Sequence, residues 1–163
     1  MGAAGVLRGD TPADPDQTDT DFGAGADLDL HFLHPRSPGW FCSPWDIYFA
    51  NPNPDWGVPF DAQDDPSLDI DDVNGAGPEN INLDEPQNNG IYRVGVHYFN
   101  DHGYGPSFAT VRIFIRGMLR FEVPNKRLVG TDAFWDVATI AWPSGHITPI
   151  DRVHETVPLP NCL

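Results

Sequence analysis

The sequence predicts an all-β protein, an antiparallel β-sandwich with a jelly-roll or Ig-like arrangement as the nearest alternative. Three observations lead there. Apolar and polar residues alternate with period two in at least four segments, the pattern of strands buried on one face. Turn residues separate those segments, and no stretch carries a convincing helical period. Finally, 17 prolines and 16 glycines accompany five tryptophans and ten phenylalanines in 163 residues. Such a chain is rich in loops, yet too aromatic to stay disordered.

Residues 1–25 are polar and Asp-rich around DPDQTDTD, and they read as an irregular N-terminal arm or linker. Asp14, Asp16, Asp19 and Asp21 are expected to be solvated there. The sandwich is placed at residues 26–150, with 151–163 as a C-terminal tail. Its first strand puts Leu28, Leu30 and Phe32 on one face and Asp27, Asp29 and His31 on the other, a half-buried strand. Trp45, Ile47 and Phe49 suggest a short second strand over Trp45–Phe49. After Glu79, INL is a brief strand and EPQNNG a turn. In IYRVGVHYF, Tyr92, Val94, Val96 and Tyr98 share a face. Val111, Ile113 and Ile115 do so in ATVRIFI, and Arg116-Gly117 turns that strand into MLRFEV as a hairpin. FWDVATIAW and HITPI supply the last strands, giving about eight in all.

The segment from Asp64 to Glu79, DDPSLDIDDVNGAGPE, crowds Asp64, Asp65, Asp69, Asp71, Asp72, Asn74 and Glu79 together without a Lys or Arg. Its glycines and prolines prevent a long helix from spreading the charges. Hard oxygen ligands on an irregular Gly-containing loop suit Ca²⁺, whose shell of six to eight oxygens tolerates mixed donors. A solvated acidic loop is the alternative. Asp27 and Asp29 lie about 7 Å apart on one strand face and would complete the cation cage if the loop folds against them. Asp69 and Asp71 alternate with Ile70, so in an extended segment they would share a face. Asn51, Asn53 and Asp55 in NPNPDWG lack the full EF-hand pattern and are expected to cap turns.

Charge and cysteine content narrow the partners. A net charge of −15 argues against nucleic acid and against anionic membrane surfaces. No stretch approaches the 18 apolar residues of a membrane span, so no membrane insertion is expected. MGAAGVLRGD lacks a signal peptide's basic and apolar regions, which suits either a non-secreted protein or, preferably, a piece of a longer precursor. Cys42 and Cys162 have no metal or redox spacing; either they form one disulfide in an oxidising compartment or both are free thiols. HExxH, GxSxG and zinc-type Cys-His spacings are missing from the sequence, so a non-catalytic protein is expected. Trp40 and Trp56 lie in predicted loops. If exposed side by side they would stack on sugar rings, whereas Trp45 and Trp135 read as core anchors.

Taken together, ADLDLHFLHP, NPNPDWG, DDPSLDIDDVNGAGPENINLDEP, GIYRVGVHYFNDHGYGPSFATVRIFI and DAFWDVATIAWPSG resemble a C-terminal domain of myxobacterial-type secreted or surface lipoproteins. More distantly the chain is similar to YfaP-like exported proteins, which share the DxDLH strand and the GxGPE turn. The resemblance covers about residues 12–150. It implies a β-sandwich, an extracytoplasmic setting and a non-catalytic role, and it marks Asp27, Asp29, Asp69, Asp71, Asp72 and Glu79 as the acidic motif positions. The expected function is a calcium-stabilised extracellular module for adhesion, spacing or assembly of a surface protein, with a surface protein, a glycan or further copies of itself as partner. The alternative is a carbohydrate-binding module using Trp40 and Trp56.

Overall fold

A computed structural model describes residues 2–18, 25–72, 76–159 and 162. Ten strands and no helix are present among them, so none of these residues forms a helix able to cross a membrane. The strands form two five-stranded antiparallel sheets packed face to face. The first sheet runs β4 (Pro66–Ile70), β5 (Glu79–Leu83), β1 (Ala3–Asp10), β7 (Ser107–Ile115), β8 (Met118–Leu128). The second runs β10 (His146–His154), β9 (Phe134–Trp142), β6 (Gly90–Asn100), β2 (Asp27–Leu33), β3 (Asp46–Ile47). This is the predicted sandwich.

Alternation explains the core. Leu7, Ile81, Leu83, Val111, Ile113 and Ile115 from the first sheet meet Leu28, Leu30, Phe32, Tyr92, Val94, Val96 and Tyr98 from the second. Each fully buried large apolar side chain contributes roughly 1.5–3 kcal/mol through removal from water. The β7–β8 hairpin closes as predicted. Arg116 and Gly117 both have positive φ, at 50° and 78°, the backbone of the tight turn whose twist matches that of its strands.

The irregular arm expected over residues 1–25 is not what forms at its start. Ala3–Asp10 is β1, a central strand hydrogen-bonded to β5 on one side and β7 on the other. Ala3, Gly5 and Leu7 point inward while Ala4, Val6 and Arg8 point outward. With Gly or Ala at all four of positions 2–5, the alternation carries little hydrophobic contrast and is invisible to pattern reading. The tail also begins later than expected, because β10 continues through Asp151 to His154. The short strand over Trp45–Phe49 contracts to Asp46–Ile47, with Ile47 buried and Phe49 exposed.

A larger departure concerns β2. It is buried at all seven positions, not half-buried, because the chain following it folds back over the outer face of the second sheet. His31 stacks on Tyr48 at 4.8 Å and meets Phe41 edge-on at 4.7 Å. Leu33, Trp40 and Phe134, with Phe41 against them, form a second small core there. Inside it, His31 Nδ1 lies 2.9 Å from Asp46 Oδ2, and that same oxygen accepts the Phe41 N–H. Cys42 and Cys162 are joined in a disulfide, so the covering segment is tied to the chain's last residues. A loop closed over 120 residues stabilises by about 4–5 kcal/mol in the chain-entropy account.

Gly95 makes the covering possible. It faces His31 across the β2–β6 pair, and a Cβ there would lie 2.7 Å from Phe134 Cζ and 2.9 Å from Trp40 Cη2. Gly95→Ala is therefore expected to destabilise the protein by about 1–3 kcal/mol through overpacking. Urea unfolding measures this, and an unchanged midpoint would mean that the tryptophan is not packed there in solution.

Candidate metal centre

Asp27 and Asp29 occupy alternate positions of β2, so their carboxylates emerge on the same side. Glu79 arrives from the first sheet, at the start of β5. The turn before it passes so close to β1 that a Cβ on Gly77, whose φ is +75°, would lie 2.9 Å from the Leu7 carbonyl oxygen. Only glycine accommodates both that φ and that approach without strain. The result is a triad in which one carboxylate oxygen from each of Asp27, Asp29 and Glu79 lies within 4.8 Å of the others.

The triad is buried: relative exposure is 7%, 2% and 2% for Asp27, Asp29 and Glu79. Glu79 Oε2 accepts the Leu30 N–H at 2.6 Å. This satisfies a β2 donor beyond the reach of two-residue β3 and fastens the two sheets together. The remaining requirement is unmet, since Asp27 Oδ1, Asp29 Oδ2 and Glu79 Oε1 are buried without a hydrogen-bond partner. Buried polar groups in proteins are normally paired, and an orphaned charged oxygen is especially costly.

Electrostatics sharpen the conflict. Burial, then repulsion from Asp71 and Asp72, pushes Asp27 up to about 7. Burial, then Asp27 and Asp71, pushes Asp29 up to about 8. Glu79 is raised well above the usual carboxylate range by burial and by Asp29, against the opposing Leu30 hydrogen bond. His97 supplies no compensating charge. Its Nδ1 lies 3.8 Å from Asp29 Oδ2, but burial and His31 lower its pKa to about 4, leaving the ring neutral. Among the described residues no lysine or arginine makes an ion pair with the triad. Such a site takes up protons or a cation. Buried oxygens from two strands, with Asp71 and Asp72 close enough to act on them, form a donor set suited to a hard divalent ion.

Of the six predicted ligands, Asp27, Asp29 and Glu79 converge, and Asp71 and Asp72 lie within electrostatic reach. Asp69 does not join them. A β-bulge between Leu68 and Ile70 interrupts the β4–β5 register, so the expected alternation breaks. Ile70 becomes half-exposed opposite Asn80, and the Asp69 carboxylate is taken up by Ser67, Asn80 and Asn82 on the outer face. A bulge changes which face later residues point to, which separates Asp69 from Asp71. Asp64 and Asp65 act as loop caps, accepting the Val58 and Trp56 N–H groups. Asn51 likewise donates to the Asp46 carbonyl. Asn74, Gly75, Asp19 and Asp21 lie outside the described residues.

Trp40 and Trp56 are not a sugar-stacking pair. Both are buried, at 4% and 2% exposure. Trp40 packs on Phe134, while Trp56 sits against His34 and donates its indole N–H to the Pro44 carbonyl. Apolar covering of the second sheet recruits one and the NPNPDWG loop the other, an outcome that long-range packing decides.

Fold and geometry together define an all-β sandwich carrying a buried three-carboxylate centre to which both sheets contribute. Comparisons with protein-family models, curated proteins and solved structures find no match.

Proposed function

We propose that the protein is a non-catalytic, calcium-stabilised extracellular β-sandwich module serving adhesion, spacing or assembly of a surface protein. The single observation supporting it best is the buried Asp27–Asp29–Glu79 triad with its three unpartnered oxygens. A bound Ca²⁺ would be held by these carboxylates, with Asp71 and Asp72 adding to the field around it. It would offset their repulsion and fasten the start of β5 to β2, leaving a rigid surface for a partner. The Cys42–Cys162 disulfide supports an oxidising compartment. An affinity of about 10⁻⁴–10⁻³ M would suit an extracellular site.

Thermal melts in calcium and in chelator test the reading. At a calcium concentration one hundred times the dissociation constant, linkage predicts about 2.7 kcal/mol of added stability. Superimposable melts across millimolar calcium would sink the metal assignment.

A further inference from the structure

We propose a second binding site, for a neutral saccharide, in the groove on the outer face of the first sheet. The groove crosses β4, β5, β1 and β7 and encloses about 520 Å³, within the range of small-molecule sites, roughly 300–1,000 Å³. Its depth comes from Ala4, which stands in register between Asn82 of β5 and Phe114 of β7. A methyl group there leaves a recess walled by an amide on one side and an aromatic ring on the other. Ser67, Asp69 and Asp84 line the same space.

The chemistry of the walls selects the ligand. The bulge in β4 turns Asp69 outward, where Ser67 donates to it at 2.6 Å, Asn80 at 3.2 Å and Asn82 also donates. The polar wall is thus held in place before any ligand arrives, which lowers the ordering cost of binding. It interleaves carboxylate acceptors with amide and hydroxyl groups that can also donate. Sugar hydroxyls both donate and accept and so match such an array. A metal ion or amine has no acceptor and would face N–H donors as well as a carboxylate already engaged by three groups. Asp69 and Asp84, in a chain of net charge −15, repel phosphorylated, sulfated and uronate ligands. Phe114, half-buried at the opposite wall, offers a ring to the C–H face of a pyranose. None of these residues belongs to the acidic triad, so the site stands independently of the calcium reading.

The experiment is a panel of neutral oligosaccharides built on glucose, xylose, galactose, mannose and N-acetylglucosamine, run beside sulfated and uronate glycans and a lysine-rich peptide. Binding is read by titration calorimetry on the full chain. At least one neutral member is expected to bind, with Asn82→Ala and Phe114→Ala each weakening it tenfold or more. Ala4→Leu, which fills the recess from its half-exposed floor, should do the same while leaving the inter-sheet core untouched. Asn82→Ala and Ala4→Leu should keep the wild-type difference between melts in calcium and in chelator, so failure of the calcium reading and failure of this one remain distinguishable. The proposal is overturned if no neutral sugar binds, if the charged glycans or the peptide bind instead, or if folded Ala4→Leu protein binds as tightly as wild type.

Discussion

Replacing Glu79 with Gln, or Asp29 with Asn, is expected to abolish the calcium-dependent rise in melting temperature. Each change removes a charged oxygen from a triad whose members lie within 4.8 Å of one another, and two carboxylates hold a hard cation far less well than three. In chelator the same variants should match wild type or exceed it, because they relieve repulsion among buried like charges. The opposite signs in the two conditions distinguish a ligand from a residue that merely supports the fold. Asp69→Asn is the informative comparison. Its carboxylate is engaged by Ser67, Asn80 and Asn82 outside the triad, so the calcium response should survive. Differential scanning calorimetry of the three variants decides the matter, and a response lost in Asp69→Asn but kept in Glu79→Gln would refute the placement of the site.

The pH dependence of the metal-free protein should be equally large and of unusual sign. Asp27 and Asp29 sit at about 7 and about 8 in the folded state, against 3.8 unfolded. A carboxyl raised on folding contributes stability that is complete below its unfolded value and is lost as pH rises through its folded value. Two buried histidines act against this at lower pH. His34 and His97 are each lowered from 6.5 to about 4 by burial, so their contribution is lost as pH falls from about 6.5 towards 4. Between pH 6.5 and 8 the carboxyls dominate, and stability in chelator should fall by about 2 kcal/mol. On the proposed function calcium would replace the protons, so its stabilising effect should grow over that interval. Guanidinium titrations at several pH values, with and without calcium, measure both slopes; parallel curves would mean that no titrating carboxyl contacts the ion.

Much of the fold is legible because period-two alternation survives wherever the apolar residues are large. Tyr92–Tyr98 and Val111–Ile115 announce their inward faces, and the Arg116-Gly117 turn announces the hairpin. β1 escapes notice because Ala3, Ala4 and Gly5 give almost no contrast between faces. At the candidate centre, the carboxylates of Asp27 and Asp29 share a face by strand geometry alone. The DDPSLDIDD segment shows only that more acids lie near one another in sequence, and which of them meet β2 depends on one bulge. That bulge sends Asp69 outward to Asn80 and Asn82, while Asp71 remains close enough to raise Asp27, Asp29 and Glu79.

By itself, the sequence determines that this chain is an all-β sandwich with a concentration of acids near its DLDLH strand, because side-chain alternation and turn chemistry are local properties. Tertiary structure alone decides that those acids are buried. The same residues that read as the polar face of a half-buried strand become a closed centre once Glu79 crosses from the other sheet and Phe41 and Tyr48 fold over His31. Burial is set by what packs on top, and those residues come from outside the strand, Phe41 and Tyr48 from the segment that follows it and Glu79 from the other sheet. It converts ordinary carboxylates into groups that require a proton or a cation, through the cost of holding charge away from water.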